Sequence, residues 1–448
     1  MQDSSIVPPP VEARRQLNVV VVGGGVTGVL SSWELARSGH HVTLVERAGL
    51  GSGSSGDSAA AIRGQFDTPS TVRGMVYAVR FFECWCEITG MPANPLIPNG
   101  YLFVREERSH SKQEALRRRV AMQQESGLEA VRFLTVREIE DLFPYVNTVG
   151  LTCATWCRTD GFLIPYLIFQ DGAEAARRLG VRVLQNCAVT GAEHDHAGNI
   201  TVVKTTRGDL TGVDVVVDAT NAWSNHLAVL LGATQLDFVV TRRFLYHLHG
   251  LNGTDGDFMT SQQFKKHPFL VGPRAAYSRP TPSGEMMLGW VVDADPVDPL
   301  KTDPHWIGPG YGTGNPRSFG LAMRQEVARV DPEVSVGTVF DQAGRSLGKI
   351  TEYAGTGVTS GFYAETRDHN PFIAPDPKVR NLVRAVAFSG HGFMHSPFTA
   401  RDVAELVAAM ADGRQTPTTI ELPWNLGQVD LMPYRIGREY RHDEWIVL

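Results

Sequence analysis

Val19, Val20, Val21 and Val22 follow polar Asn18 and run straight into glycines. A short, wholly apolar, β-branched run predicts a strand buried on both faces, as in a parallel sheet. Residues 27–38 carry apolar positions at helical spacing, and Gly39 ends the run. Residues 42–45 form a second short apolar strand. Strand, glycine turn, helix, strand is a βαβ unit. Residues 52–58, "SGSSGDS", are small and polar and read as a loop. Residues 73–87 have helical spacing with Tyr77, Phe81, Phe82 and Trp85, and residues 112–129 predict a charged, exposed helix. An amphipathic helix is expected over 164–178, then a strand at 181–184 and a meander through Val203 that ends in the strand 213–217.

The pattern changes between Asp237 and Val339, where "FVVTRRFLYHLHG", "FLVGPRAAYSRP" and "GEMMLGWVV" alternate like antiparallel strands separated by turn signals. A domain inserted in the chain accounts for this. After Gly344 come glycine-rich loops and a helix over 399–411; the tail from Thr416 is expected to wrap the surface. No internal repeat is present.

A chain of 448 residues is long enough for two domains or one with insertions. Its net charge of −6 offers no basic field for a phosphate polymer, so nucleic acid is not an expected partner. The longest apolar run, residues 19–22, is far too short to span a bilayer, so no membrane is expected either. Residues 1–16, with Pro8, Pro9 and Pro10, read as a disordered lead and not as a signal peptide. Cys84, Cys86, Cys153, Cys157 and Cys187 lack zinc-ribbon spacing, so no metal site is expected. An odd set without a framework reads as reduced, buried thiols in a cytoplasmic protein.

Gly23, Gly25 and Gly28 fall at Gly-x-Gly-x-x-Gly spacing between a strong strand and a helix, the context the motif needs. The first glycine permits the tight turn, the second lets backbone approach a pyrophosphate, and the third lets helix and strand pack closely. The pyrophosphate then sits on unpaired N–H groups at the helix start. Glu46 ends the second strand, eighteen residues beyond Gly28, where a carboxylate accepts from ribose hydroxyls. These residues imply FAD or NAD and do not choose between them.

Later segments do choose. "ERAGLGSGSSGDSAAAIRGQF" (46–66), "RTDGFLIP" (158–165), "VDVVVDATNAWSN" (213–225), "TRDHNPFIAPDP" and "AFSGHGFMHSPFTARDVAEL" together resemble the D-amino-acid oxidase / sarcosine oxidase family of FAD-dependent amine oxidoreductases. The likeness runs from Asn18 to about Ala411 and is greatest to the beta-subunit type of sarcosine oxidase. It implies an α/β fold: a Rossmann-like FAD-binding domain with an inserted α+β substrate domain built on an antiparallel sheet. The division it implies is 17–105, 145–235 and 345–415 for FAD, 106–144 and 236–344 for substrate, and a tail of 416–448. It assigns FAD contacts to Gly23, Gly25, Val26, Thr27, Gly28, Glu46, Arg47, Ser54, Ser55, Ala61, Ile62, Arg63, Val189, Ala219, Thr220 and Trp223, and to Gly390, His391, Gly392, Phe393 and Met394. The last five make chemical sense, because reduction puts negative charge on the pyrimidine edge of the flavin. Glycine-flanked N–H groups and the positive end of a helix, with Pro397 at its first position, suit that charge.

In the family, a hydride moves from the carbon beside an amine nitrogen to flavin N5, and the imine then hydrolyses. The expected substrate is an amine or amino acid, with oxygen or another electron acceptor as the second partner. The chain is expected to be a monomer or a subunit of a complex. No side-chain nucleophile is needed; a carboxylated substrate needs an anchor, usually arginine. Arg63 is the first candidate, followed by Tyr277 and Arg279 in "YSRP", by Tyr246 with His247 and His249 in "FLYHLHG", and by His391 and His395. Three departures from the family stand out. Gly361 occupies the place of the attachment cysteine and the loop 52–63 has no histidine, so FAD is expected to be non-covalent. Met287 stands where oxygen-using members carry lysine, which implies slow reaction with oxygen. Arg367 replaces a proline, and Asn221 replaces a glycine in "ATNAWSN".

Overall fold

The computed structural model describes residues 6–144, 146–253, 265–273, 275–290, 296–302 and 350–439. The part of the expected inserted region in 303–339 lies outside these residues. The first half of the chain runs β1 (Asn18–Val22), α1 (Val26–Arg37), β2 (His41–Val45), β3 (Ala61–Ile62), α2 (Pro69–Glu83), α3 (Trp85–Thr89), β4 (Leu96–Ile97), β5 (Tyr101–Arg105), α4 (His110–Glu125), β6 (Val131–Thr135), α5 (Val136–Leu142), β7 (Cys153–Cys157), β8 (Gly161–Leu163), α6 (Pro165–Arg178) and β9 (Arg182–Leu184). It continues with β10 (Val189–His194), β11 (Ile200–Thr205), β12 (Leu210–Thr211), β13 (Val215–Asp218), α7 (Ser224–Leu230), β14 (Val239–Gly253), β15 (Phe269–Val271), β16 (Ala276–Pro280), β17 (Met286–Trp290), β18 (Ile350–Glu365), β19 (Phe372–Pro375) and β20 (Leu382–Val386). A long helix α8 (Gly392–Ala411) and a hairpin of β21 (Thr419–Leu422) and β22 (Gly427–Asp430) complete it.

The valines of β1 are buried because β1 is central, paired in parallel with β2 on one side and β13 on the other. The six-stranded order β19-β20-β13-β1-β2-β9 is that of a Rossmann-like sheet with one antiparallel edge. Consecutive strands leave β1 in opposite directions, so the carboxyl ends of β1 and β13 open a crevice at the switch point, where nucleotides bind. Helices α1 and α8 pack together against this sheet around Val29, Leu30, Val403 and Val407.

The second sheet has eight strands in the order β18-β14-β17-β16-β15-β5-β7-β6, antiparallel except for β15 beside β5. Strands β14 and β18 pair in register from Val239↔Glu365 to Asn252↔Glu352. Strands β5, β7 and β18, which the expected division groups with the FAD-binding residues, are hydrogen-bonded into this sheet. The architecture is thus α/β, with a Rossmann-like region and an antiparallel sheet inserted in the chain.

Three expectations need correction. The lead is docked, not disordered, from Ile6: Val11 is buried, Arg37 donates to the Pro8 carbonyl, and Arg401 donates to that of Pro9. The tail does not simply wrap the surface. Val429, Leu431 and Tyr434 are buried in the main core, and the Tyr434 hydroxyl is 3.0 Å from that of Thr71. Finally, α8 begins at Gly392 and not at Thr399, which places Pro397 inside the helix. Proline there cannot donate to the Phe393 carbonyl one turn back. The Ser396 hydroxyl donates to that carbonyl instead, at 2.7 Å, so the helix continues through.

Candidate active site

The glycine fingerprint forms because side chains have no room. A Cβ on Gly28 would stand 1.8 Å from the Gly23 carbonyl oxygen, and one on Gly23, at φ +112°, would stand 2.6 Å from that of Ala219. Glu46, at the end of β2, accepts from the Gly24 N–H at 2.7 Å and from the Ala48 N–H at 2.9 Å. Each carboxylate oxygen keeps a lone pair for a ribose hydroxyl. The loop 52–58 folds over the start of α1, where Ser55 Oγ accepts from the Val26 N–H at 3.1 Å. The Ser54 hydroxyl donates to the Phe362 carbonyl at 2.7 Å and ties that loop to β18.

A continuous cavity runs from this loop to the second sheet. Among the expected cofactor contacts, Gly23, Gly25, Val26, Thr27, Glu46, Arg47, Ser54, Ser55, Ala61, Arg63, Val189, Ala219, Thr220, Trp223 and residues 390–394 all line it. Gly28 and Ile62 do not: Gly28 is the packing glycine beneath the turn, and Ile62 is buried in the main core. At its far end the cavity meets the first turn of α8, where the side chain of the N-cap His391 does not cap the helix. That helix end faces the cavity with Gly390 and Gly392 beside it, as an electron-rich ring edge would require. An extended cleft with a glycine-walled helix start near each end and the Glu46 carboxylate just past the end of β2 fits FAD.

The anchor candidates divide. Arg63 and Tyr277 line the cavity. The Arg63 guanidinium lies 4.2 Å over the Phe66 ring and 5.3 Å over Phe103, almost fully buried. Tyr277 stacks on Phe269, 5.4 Å between centroids, and Phe269 stacks on Tyr101 at 4.5 Å. Tyr246 points away: Arg243 and Leu245 line the cavity, and β14 alternates. His247 meets Thr359 Oγ1 at 3.2 Å without lining the cavity, and the side chain of His249 lies outside the described residues. Arg279 shares the Tyr277 face but donates to the carbonyls of Ala59 (2.8 Å) and Pro280 (2.9 Å), bracing the loop from behind. Burial pushes its pKa down to about 10.

His391 lines the cavity with its ring edge-on to Phe66 at 5.4 Å. His395, one turn further on, is buried behind it, and burial with the Arg63 charge pushes its pKa down to about 3. It is neutral at physiological pH. Met287 is buried on the cavity face of β17, between Arg279 and His247 in register. Arg367 is exposed and does not line the cavity.

Among the lining residues that escaped the sequence reading are Arg243, Tyr363, Tyr101 and Phe269. Arg243 Nη2 is 3.0 Å from Glu365 Oε1, and its guanidinium lies 5.4 Å over the Tyr363 ring. The hydroxyls of Tyr277 and Tyr363 are hydrogen-bonded. Alternation from Gly361 could have found Tyr363, which stands two residues on; nothing in "TRRF" tells which arginine faces inward. Beneath Arg63, buried Asp160 accepts from the Gly64 N–H at 3.0 Å and from Gln65 Nε2 at 3.3 Å. Burial outweighs those bonds and raises its pKa to about 7.

Similarity to known proteins follows the same path along the chain. The family model described as DAO, FAD dependent oxidoreductase, matches residues 18–406. The FAD-dependent oxidoreductase domain-containing protein 1 of Bos taurus is 24% identical over 91% of this chain and 83% of its own. The glycine oxidase of Geobacillus kaustophilus is 24% identical over 87% of this chain and 92% of its own. The structure of the L-proline dehydrogenase from P. horikoshii superposes with a TM-score of 0.69, at 25% identity, covering 90% of this chain and 96% of that one. A match spanning both ends of the cleft carries the inference that the chain belongs to the DAO family of FAD dependent oxidoreductases, with FAD held non-covalently.

Proposed function

We propose that this protein oxidises a C–N bond of an amino acid or N-alkyl amino acid, and that it stands within its family beside the sarcosine oxidase beta-subunit type. The observation that carries the reading is the convergence of Arg63, Arg243, Tyr277 and Tyr363 on the end of the cavity where α8 begins. Guanidinium and phenol donors in a site walled by Tyr101 and Phe269 suit a small carboxylate bearing an apolar body. The similarity to a glycine oxidase and to an L-proline dehydrogenase supports an amino-acid substrate.

FAD, when bound, supplies the two-electron acceptor. The chain's own task is to bind the neutral amine, hold its C–H bond in one orientation and exclude water. Arg63 holds the carboxylate, and the stacked Tyr101, Phe269 and Tyr277 rings exclude solvent. The imine released is hydrolysed without a side-chain nucleophile. Met287, a neutral side chain where oxygen-using members carry lysine, favours an acceptor other than oxygen, and so a dehydrogenase whose electrons pass to a partner. Anaerobic bleaching of the flavin with a panel of primary, secondary and cyclic amino acids tests the reading, and admission of air tests the acceptor. No bleaching by any carboxylated amine would sink it, and return of the colour within the mixing time would make it an oxidase.

A further inference from the structure

Asn221 leaves strand β13 at φ +48°, in the left-handed region. After glycine, asparagine is among the residues that fit there best. Its Oδ1 accepts from the backbone N–H of Ala387 at 2.9 Å and from that of Phe388 at 3.3 Å. Those residues begin the turn that carries the chain from β20 into α8. The turn is sharply bent: Ala387 has φ +62°, Ser389 +47° and Gly390 +85°. Only the last is glycine, and the others are strained by their side chains in that conformation. Such a turn persists only where its surroundings dictate it.

Backbone and side-chain bonds hold the turn, among them one from the Thr366 N–H to Ser389 Oγ at 3.3 Å. The Ser389 N–H donates to the Ala364 carbonyl on β18 at 2.8 Å, and the His391 N–H donates to the Phe388 carbonyl at 2.8 Å. Among the described residues, the acceptor recorded for the amides of Ala387 and Phe388 is the Asn221 side chain. Both residues are buried, so an amide without an acceptor there would carry its full desolvation cost. On its other flank Asn221 follows Ala219, whose carbonyl lies against Gly23 of the fingerprint turn, and Thr220, whose N–H and hydroxyl donate to Asp218. One side chain therefore joins the phosphate end of the crevice to the turn at its other end. A glycine would supply the same backbone and none of this.

We propose that Asn221 is a positioning residue for the cofactor: its side-chain carbonyl holds the turn of residues 387–390 in the shape that aims the first turn of α8 into the cavity. The inference goes beyond the C–N reading and stands whichever amine is the substrate.

Two substitutions in the full-length holoenzyme separate backbone from side chain. Asn221→Gly keeps the left-handed backbone and deletes the acceptor. We expect the FAD dissociation constant, read by flavin fluorescence, to rise roughly tenfold, and the fine structure of the visible flavin band to blur. Asn221→Asp keeps the acceptor and adds a charge; it should retain FAD and lower the flavin midpoint potential. Wild-type affinity and spectrum in Asn221→Gly would overturn the proposal, and so would equal loss of FAD in Asn221→Asp. Should Asn221→Gly not fold, hydrogen exchange of the wild-type chain decides. The Ala387 and Phe388 amides should stay protected after FAD is stripped; exchange at the rate of unstructured chain overturns the proposal.

Discussion

Gly390 and Tyr363 stand so close that a Cβ built on the glycine would lie 2.4 Å from the tyrosine ring. The turn into α8 and the strand β18 are shaped to each other there, so the far end of the cavity belongs to neither sheet alone. Gly390 also has φ +85°. Gly390→Ala should destabilise the chain by about 1–3 kcal/mol through backbone strain, and by more through displacement of the ring. Because the second part needs Tyr363, the loss of Tm should be smaller when Tyr363→Ala is already present. Equal losses in both backgrounds would mean that the ring moves aside at no cost.

Arg63 and Arg243 both line the site, and substitution tells which one holds the substrate. Arg63→Ala should raise the KM of carboxylated substrates roughly 10- to 100-fold, the loss of one charge-assisted bond, with FAD content unchanged. Steady-state kinetics with matched flavin content measure this. An unchanged KM in Arg63→Ala beside a raised one in Arg243→Ala would transfer the anchor to Arg243.

Glu46 takes two backbone N–H groups of the fingerprint region and offers its remaining lone pairs to the cofactor. Glu46→Ala leaves the Gly24 and Ala48 amides without their acceptor. Loss of hydrogen bonds to a charged group costs about 1.5–3 kcal/mol, so FAD should bind roughly tenfold or more weakly. Fluorescence titration of the stripped chain reads this directly; wild-type affinity would exclude the ribose role.

Asp160 makes stability pH-dependent with a definite sign. Its pKa is raised to about 7 by burial, above that of an unfolded carboxyl. Below the unfolded value both states hold the proton and there is no penalty. As pH rises towards 7 the unfolded chain ionises first, so stability falls across that window and levels off above it. Asp160→Asn removes the proton and should flatten the decline of Tm between about pH 4 and pH 7. An identical slope in wild type and variant would refute the assignment.

Non-covalent attachment predicts that acid or heat denaturation releases all the yellow colour into the supernatant. Colour retained in the protein pellet would contradict it.

Local patterning made the cofactor end of the cavity readable. The valines of β1, the glycines at 23, 25 and 28 and the carboxylate of Glu46 sit within a single βαβ unit, and spacing along the chain becomes spacing in the fold. The turn at 390–394 was readable through resemblance, because its glycines and histidine recur together. Other features were not. The reach of α8 back to Gly392 depends on Ser396 taking the carbonyl that Pro397 cannot reach, a compensation that sequence rules for proline do not anticipate.

The sequence by itself determined the buried parallel strand β1 and the dinucleotide-type βαβ unit around it, because both are written in neighbouring residues, while FAD rather than NAD came from the resemblance of segments spread along the chain. The tertiary structure decided which side chains of the second sheet face the cavity. Arg243, Tyr277 and Tyr363 come from three strands of one sheet, and whether a residue points in or out turns on strand register. A shift of one residue would have put Tyr246 inside and Arg243 outside. Register is set by pairing between segments more than a hundred residues apart, Arg243 with Gly361, and no local pattern encodes that.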